Sequence, residues 1–177
     1  MKPIGGILIC GLNGSGKTTL GHALSKVLGL RHLDIEQYYF TDPARPYATS
    51  RTREEVSALL KADIRSAQEF VFSAVNGDFD TEITESYRLV VFLDAPLDVR
   101  MERIRRRAYE KFGDRILPGG DMYDEEERFF DFVKHRSTDR IERFLNSLSC
   151  PVLCLDGTDP IDAHIERIRE ALDRNLS

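Results

Sequence analysis

The sequence has few of the features that mark secreted, membrane-spanning or zinc-binding proteins. It contains only three cysteines, and none of them forms a C-x-x-C pair, which indicates reduced thiols and predicts a cytoplasmic protein. No apolar run approaches about 18 residues, so we expect no membrane span. The four histidines do not stand at zinc-ligand spacing from the cysteines. The first apolar run leads directly into a glycine-rich loop, so no signal peptide is expected.

Positive charge is also in short supply. The chain has 25 lysines and arginines against 30 acidic residues, a formal net charge of −5. This balance disfavours a protein that follows a nucleic-acid backbone, so no nucleic-acid partner is expected. The cations are nevertheless concentrated in one stretch that contains Arg103, Arg105, Arg106, Arg107, Lys111 and Arg115. This concentration of positive charge in an acidic protein indicates that the segment has a specific function.

One motif near the start of the chain carries specific chemistry. Residues 11–18 read Gly-Leu-Asn-Gly-Ser-Gly-Lys-Thr, the complete G-x-x-x-x-G-K-[ST] pattern of a phosphate-binding loop, or P-loop. Such a loop turns backbone N–H groups toward one anion and adds the positive N-terminus of the next helix. Lys17 can reach the terminal phosphates of ATP, and the Thr18 hydroxyl can ligate Mg²⁺. We predict nucleotide contacts at Gly11, Asn13, Gly14, Ser15, Gly16, Lys17, Thr18 and Thr19.

Apolar runs and helical stripes alternate along the chain. Helices are predicted between strands at 4–10, 31–34, 70–75, 89–93 and 152–155. A capping box starts one helix at Thr52, residues 109–123 read as an irregular segment, and the helical region 124–148 is interrupted near Ser137. With no repeat or linker, this order predicts a single α/β domain over residues 1–177. We expect a three-layer, doubly wound, five-stranded parallel sheet of the P-loop NTPase type.

The P-loop alone fits GTPase switches, motor ATPases and small-molecule kinases. The chain has no Asn-Lys pair, which guanine-selective switches usually carry, and its apolar strand ends Asp94-Ala95-Pro96 rather than with the Asp-Glu of motor ATPases. In the order of its motifs the chain resembles the adenylate-kinase-like group of nucleoside monophosphate kinases. Residues 91–104 are similar to the segment that leads into the mobile lid of these kinases. Residues 156–162 are similar to their loop beside the adenine.

The resemblance implies a mobile lid at about residues 107–124 and a function for the arginine cluster. Arg103 and Arg107 fall on one flank of a predicted helix, and guanidinium groups match the oxygens of a transferred phosphoryl group. The same kinases place an arginine on the helix that returns from the lid, and Arg136 is the best match. These three arginines are predicted to be catalytic. A solvated helix face and a structural salt bridge stay open as alternatives.

The acceptor side is predicted at the tip of the second strand, which reads Leu33-Asp34-Ile35-Glu36. It is similar to the acidic tip of shikimate-, gluconate- and uridine-type kinases, in which an Asp takes the acceptor's hydroxyl proton or holds Mg²⁺ through water. Asp34 is the closest match and Glu36 the next. A carboxylate suits a hydroxyl acceptor, whereas a phosphate acceptor needs no base. A plain Asx turn is the alternative for Asp34.

An acceptor-binding insertion is expected at about residues 36–69. It contains tyrosines and three arginines, Arg45, Arg51 and Arg53, which are suited to binding a phosphorylated or carboxylated metabolite. A basic surface loop without a binding function is the alternative explanation for these arginines. Asp78, in a turn after the third strand, resembles an indirect Mg²⁺ ligand.

The predicted function is an ATP- and Mg²⁺-dependent phosphotransferase. Its acceptor would be a small molecule, a hydroxyl-bearing metabolite or a nucleotide. A nucleoside monophosphate kinase and a non-catalytic ATP-binding regulatory module stay open as alternatives. We expect a monomer or a homodimer.

Overall fold

The computed structural model describes residues 5–41 and 50–174. Five strands, all parallel, form one sheet in the order β2-β3-β1-β4-β5. The strands are β1 Gly5–Cys10, β2 Arg31–Asp34, β3 Glu69–Ala74, β4 Tyr87–Asp94 and β5 Val152–Asp156. The predicted fold class, a doubly wound five-stranded parallel α/β sheet, is confirmed. Because β1 is central and buried along its whole length, the P-loop leaves the sheet at the middle of its carboxyl edge.

Helices cover both faces of the sheet. The helices are α1 Lys17–Leu28, α2 Ile35–Tyr39, α3 Arg53–Ala67, α4 Thr81–Glu85, α5 Leu97–Phe112, α6 Tyr123–His135, α7 Asp139–Ser147 and α8 Ile161–Arg174. Leu20 of α1 and Ile168 of α8 pack on the face that carries Ile7 of β1, whereas helices α3, α4 and α7 pack on the opposite face. A third apolar cluster lies between α5 and α6. Within the described ranges, no helix is both long enough and apolar enough to cross a bilayer.

Several local predictions can be compared with this structure. The capping box at Thr52 is confirmed, and so is the helix break near Ser137. The prediction of an irregular segment from residue 109 is wrong at its start, because α5 continues to Phe112. Its apolar stripe extends through Ala108, and the left-handed φ of 59° at Gly113 then ends the helix. A 3₁₀ turn, Gly113–Ile116, follows.

Two short helices were not anticipated. Helix α2 starts at Asp34, whose carboxylate accepts a hydrogen bond from the backbone N–H of Glu36 at 3.0 Å. Helix α4 starts in the same way at Asp80, which accepts from the backbone N–H of Ile83 at 3.1 Å. An aspartate that caps a single helical turn looks like an ordinary turn residue in the sequence.

Candidate nucleotide-binding site

The P-loop adopts a conformation that leaves hydrogen-bond donors available. Gly14 has φ +81°, and a Cβ there would lie 2.6 Å from the carbonyl oxygen of Arg100, so only glycine fits. Helix α1 begins after Gly16, which is left-handed and provides no side-chain cap, and its first turn holds no acidic residue. The N–H groups of this turn are therefore available to an anion.

Lys17 is buried at the start of α1, with only 9% of its surface exposed. Burial lowers the pKa of its ammonium group to about 8, although the charges of Glu36 and Asp34 oppose the shift. The positive charges of Arg107 and Arg136 lower it further. A phosphate group beside Lys17 would stabilise the charged form of its ammonium group, which burial in the free protein makes less favourable than in water.

A cavity of about 580 Å³ opens over the P-loop, and we call it the nucleotide cavity. It is lined by loop residues and by Thr18 and Thr19, by arginines of α5, by Glu36, and by the segment after β5 that includes Gly157 and Asp159. The Ser15 hydroxyl oxygen is buried here and has no hydrogen-bond partner in the described parts of the protein. An unsatisfied buried hydroxyl at a cavity floor is a donor that an anionic ligand can use.

Arginines of α5 hold the P-loop in place. Arg103 donates to the carbonyl oxygens of Gly14 and Ser15 at 3.3 and 3.2 Å, and to that of Gly157 at 2.9 Å. The buried Arg100 donates to the carbonyl oxygens of Ala95 at 3.0 Å and Asn13 at 3.3 Å. Helix α5 is thereby fixed to the loop, and Arg103 also lines the nucleotide cavity.

Two further arginines lie next to the P-loop on the side of α5 and α6. Arg107 lines the cavity with an exposed side chain. Arg136 follows the last residue of α6 and donates to the side-chain oxygen of Asn13 at 2.9 Å, with its guanidinium 5.3 Å from the Phe132 ring centre. Burial lowers the pKa of Arg136, and the charge of Arg140 adds to that shift. All three arginines predicted to be catalytic therefore lie around the P-loop; phosphate contact by them stays a prediction.

The two carboxylates at the tip of β2 have different surroundings. Asp34 is buried and holds the first turn of α2. Glu36, two residues later, is exposed and lines the nucleotide cavity. The structure therefore brings Glu36, rather than the better sequence match Asp34, to the cavity surface.

Two of the predicted acceptor arginines, Arg51 and Arg53, and the second predicted metal ligand, Asp78, do not line the nucleotide cavity. Arg51 donates to the carbonyl oxygen of Tyr38 at 2.8 Å. Arg53 donates to the carbonyl oxygens of Asp78 and Phe79. The Asp78 carboxylate is exposed, 3.8 Å from Arg140. These three predicted residues are not among those lining the nucleotide cavity, and Arg45 lies outside the described residues.

Two linked hydrogen bonds that support the start of α1 were not predicted from the sequence. The Ser73 hydroxyl donates to the carbonyl oxygen of Lys17 at 3.1 Å, and His32 Nε2 lies 2.9 Å from the same hydroxyl oxygen. Burial lowers the pKa of His32. Because the Ser73 hydrogen is donated to Lys17, this geometry suits the His32 tautomer that carries its hydrogen on Nε2. Strands β2 and β3 thus hold the start of α1, a contact between distant segments that no local pattern indicates.

Comparison with known proteins places this site in a family. A family model described as an AAA domain, AAA_18, matches residues 7–131. The chain belongs to this family. The uncharacterized protein YqaC of Bacillus subtilis (strain 168) is 31% identical over 177 residues, covering 96% of this chain and 98% of that protein. The family assignment agrees with a P-loop nucleotide-binding domain.

Solved structures show which fold this AAA_18 chain adopts. It is similar to shikimate kinase from Bacteroides thetaiotaomicron, with a TM-score of 0.60 and 23% identity, over 95% of this chain and 98% of that one. A gluconokinase from Sinorhizobium meliloti 1021 has a TM-score of 0.54 and 16% identity, over 100% of both chains. The chain therefore shares the fold of these two kinases, which agrees with the P-loop kinase fold that the sequence predicted.

Proposed function

We propose that the protein transfers the γ-phosphoryl group of ATP to a hydroxyl group of a small molecule, with Mg²⁺ as cofactor. The observation that carries this proposal is the pairing of Lys17 and Glu36 in one cavity at the carboxyl edge of the sheet. Lys17 supplies a cation for the terminal phosphates, and Glu36 supplies an acceptor for a proton. The kinases of similar fold add support, since they are named for small molecules.

The residues present fit a triphosphate. The uncapped start of α1, the unpartnered Ser15 hydroxyl and the buried Lys17 all offer donors in the nucleotide cavity. Arg107 extends this positive lining along α5 and can neutralise charge on the transferred group. Arg103 adds its positive charge to the same cavity while its guanidinium stays bonded to the loop carbonyls. The base of the nucleotide would lie toward Gly157 and Asp159, in the segment after β5.

The residues also fit a Mg²⁺ ion that is held mainly by phosphate and water. Across residues 5–41 and 50–174, no group of three His, Cys, Asp or Glu side chains is arranged to hold a metal. Mg²⁺ in nucleotide sites keeps several waters and needs few protein ligands. We assign its protein ligand to the Thr18 hydroxyl, which lines the cavity; Asp78 stays a prediction. The bound ion would shield the phosphate charge during transfer.

The transfer step can be written with these residues. The acceptor's hydroxyl oxygen attacks the γ-phosphorus, the bond between that phosphorus and the bridging oxygen breaks, and ADP leaves. The hydroxyl proton passes to the Glu36 carboxylate. We assign Asp34 to positioning, because it caps the helical turn that carries Glu36.

A substitution at Lys17 tests this function. ADP release by purified protein is measured against a panel of hydroxyl-bearing metabolites and nucleoside monophosphates. Lys17→Met should lower phosphoryl transfer at least about a hundredfold, since one well-placed charge-stabilising donor contributes that much. Lys26→Met is the matched control, because Lys26 is exposed on the same helix. Near-normal turnover in Lys17→Met would refute the assignment.

A further inference from the structure

A second cavity of about 470 Å³ adjoins the nucleotide cavity and extends between helices α5 and α6. We call it the α5–α6 cavity. It shares Asn13, Glu36, Arg107 and Glu110 with the nucleotide cavity, so the two spaces meet beside the P-loop. Its position next to Glu36 makes it the space in which an acceptor hydroxyl can approach the γ-phosphate.

The walls of this cavity combine apolar surface with one buried charge. Ile104 and Phe129 supply apolar and aromatic surface. Glu126 lines the same space and is only 3% exposed. Its place on α6 explains the burial, since it shares a helical face with Phe130 and Val133, which are buried against α5.

Among residues 5–41 and 50–174, no side chain donates a hydrogen bond to the Glu126 carboxylate or forms an ion pair with it. Burial raises the pKa of this carboxyl, the charge of Glu125 raises it further, and the charge of Lys111 lowers it. The Lys111 ammonium itself lies 4.9 Å from the ring centre of Phe112. A buried carboxylate without a partner costs free energy, which a ligand that supplies a positive donor would offset.

Two of the arginines predicted to hold an anionic acceptor bond to other parts of the protein. The guanidinium of Arg51 bonds to a backbone carbonyl, and so does that of Arg53; neither residue lines the α5–α6 cavity. Arg107 and Lys111 do line it, and both side chains are exposed. Arg107 also lines the nucleotide cavity, where it would bind a triphosphate, and the Lys111 ammonium lies against the Phe112 ring. Among the described residues that line the α5–α6 cavity, the buried charged group is the carboxylate of Glu126, which disfavours a carboxylated or phosphorylated acceptor.

We propose that the acceptor carries an ammonium group as well as its hydroxyl group, and that Glu126 binds this ammonium in the α5–α6 cavity. This inference rests on the proposed phosphotransferase function and narrows its substrate to amino alcohols and amino sugars. The acceptor's carbon skeleton packs against Phe129 and Ile104, and its hydroxyl faces Glu36. Glu126 acts as a binding residue and takes no part in the proton transfer.

Matched pairs of acceptors test the inference. Each pair consists of an amino alcohol or amino sugar and the analogue in which a hydroxyl replaces the amine, and a hydroxy acid completes the panel. Wild-type protein should phosphorylate the ammonium-bearing member with at least about tenfold higher kcat/KM, the effect of a charged hydrogen bond. Glu126→Gln should lose this preference through KM. Glu127→Gln, at the exposed neighbouring position, should retain it.

The alternative outcomes separate this inference from the function on which it rests. If a hydroxy acid or a nucleoside monophosphate is the best acceptor, or if Glu126→Gln keeps the wild-type preference, the ammonium assignment is overturned while phosphoryl transfer stands. If no acceptor yields more ADP than Lys17→Met does, the proposed function fails and the inference fails with it. Glu126→Gln should also unfold at no lower denaturant concentration than wild type, because no side chain in the described ranges pairs with this carboxylate; marked destabilisation would show a structural role instead.

Discussion

The burial of Lys17 predicts that ATP binding is coupled to proton uptake. With a pKa of about 8 in the free protein, Lys17 is charged in about nine tenths of molecules at pH 7 and in about one tenth at pH 9. ATP binds the charged form, since an ammonium stabilises the terminal phosphates. The apparent Kd should therefore rise about tenfold from pH 7 to pH 9, which corresponds to about 1.4 kcal/mol.

Calorimetric titration with ATP in buffers of different ionisation enthalpy measures this coupling. At pH 8 about half a proton should be taken up per ATP bound, because half of the molecules start with a neutral lysine. The phosphate groups of ATP are already ionised there, as phosphate second pKa values lie near 6. Lys17→Arg stays charged at this pH and should take up no proton. A flat Kd between pH 7 and pH 9, with no proton uptake by wild type, would refute the reasoning.

The same shift has a consequence for stability. The folded-state pKa of Lys17 lies below its ordinary value of 10.5, so the unfolded chain binds more protons between about pH 8 and pH 10.5. Over that window the lysine's contribution to the free energy of unfolding increases with pH, by up to about 3 kcal/mol. Comparison with Lys17→Met isolates this contribution from other groups that titrate in the same range.

Two further substitutions test the geometry of the nucleotide cavity. Ser15→Ala removes a buried hydroxyl that has no partner among the residues the structure describes, so the free energy of unfolding should not fall, while the Kd for ATP should rise about tenfold. Lower stability with unchanged ATP affinity would contradict this. Gly157→Ala places a Cβ 2.7 Å from the carbonyl oxygen of Ser15 and 2.8 Å from that of Asp94. This substitution should lower the free energy of unfolding by about 1–3 kcal/mol, as measured by denaturant titration. It should also weaken ATP binding, as measured by calorimetry. Wild-type values for both quantities would show that the two carbonyl groups leave room for a methyl group.

The sequence predicted those parts of the molecule that depend on local patterns. The P-loop, the strands and the helix start at Thr52 each follow from neighbouring residues, and the helix break after His135 does too. The partners of Arg51, Arg53 and Ser73 could not be predicted, because their hydrogen bonds join segments far apart in the chain. The same limit applies to the choice between Asp34 and Glu36, which depends on a single helical turn that the sequence did not indicate.

The burial of Glu126 could have been predicted from its helical spacing, but the acidic run around it favours a different interpretation. It belongs to the run Asp124-Glu125-Glu126-Glu127, and acidic residues are common in the first turn of a helix, where they oppose the helix dipole. Its spacing of three, four and seven residues from Phe129, Phe130 and Val133 nevertheless places it in the apolar stripe. A carboxylate in such a stripe is either paired or available to a ligand, and composition alone does not distinguish the two.

The contacts around the P-loop link the two cavities through helices α5 and α6. Arg103 joins α5 to the loop carbonyls, and Arg136, just beyond α6, joins the loop at Asn13. Glu126, which we assign to the acceptor, lies on the same α6. A shift of either helix would therefore move acceptor-binding and phosphate-binding groups together. Loss of the Arg136–Asn13 hydrogen bond should consequently weaken acceptor binding as well as ATP binding, although neither residue touches Glu126 through a hydrogen bond.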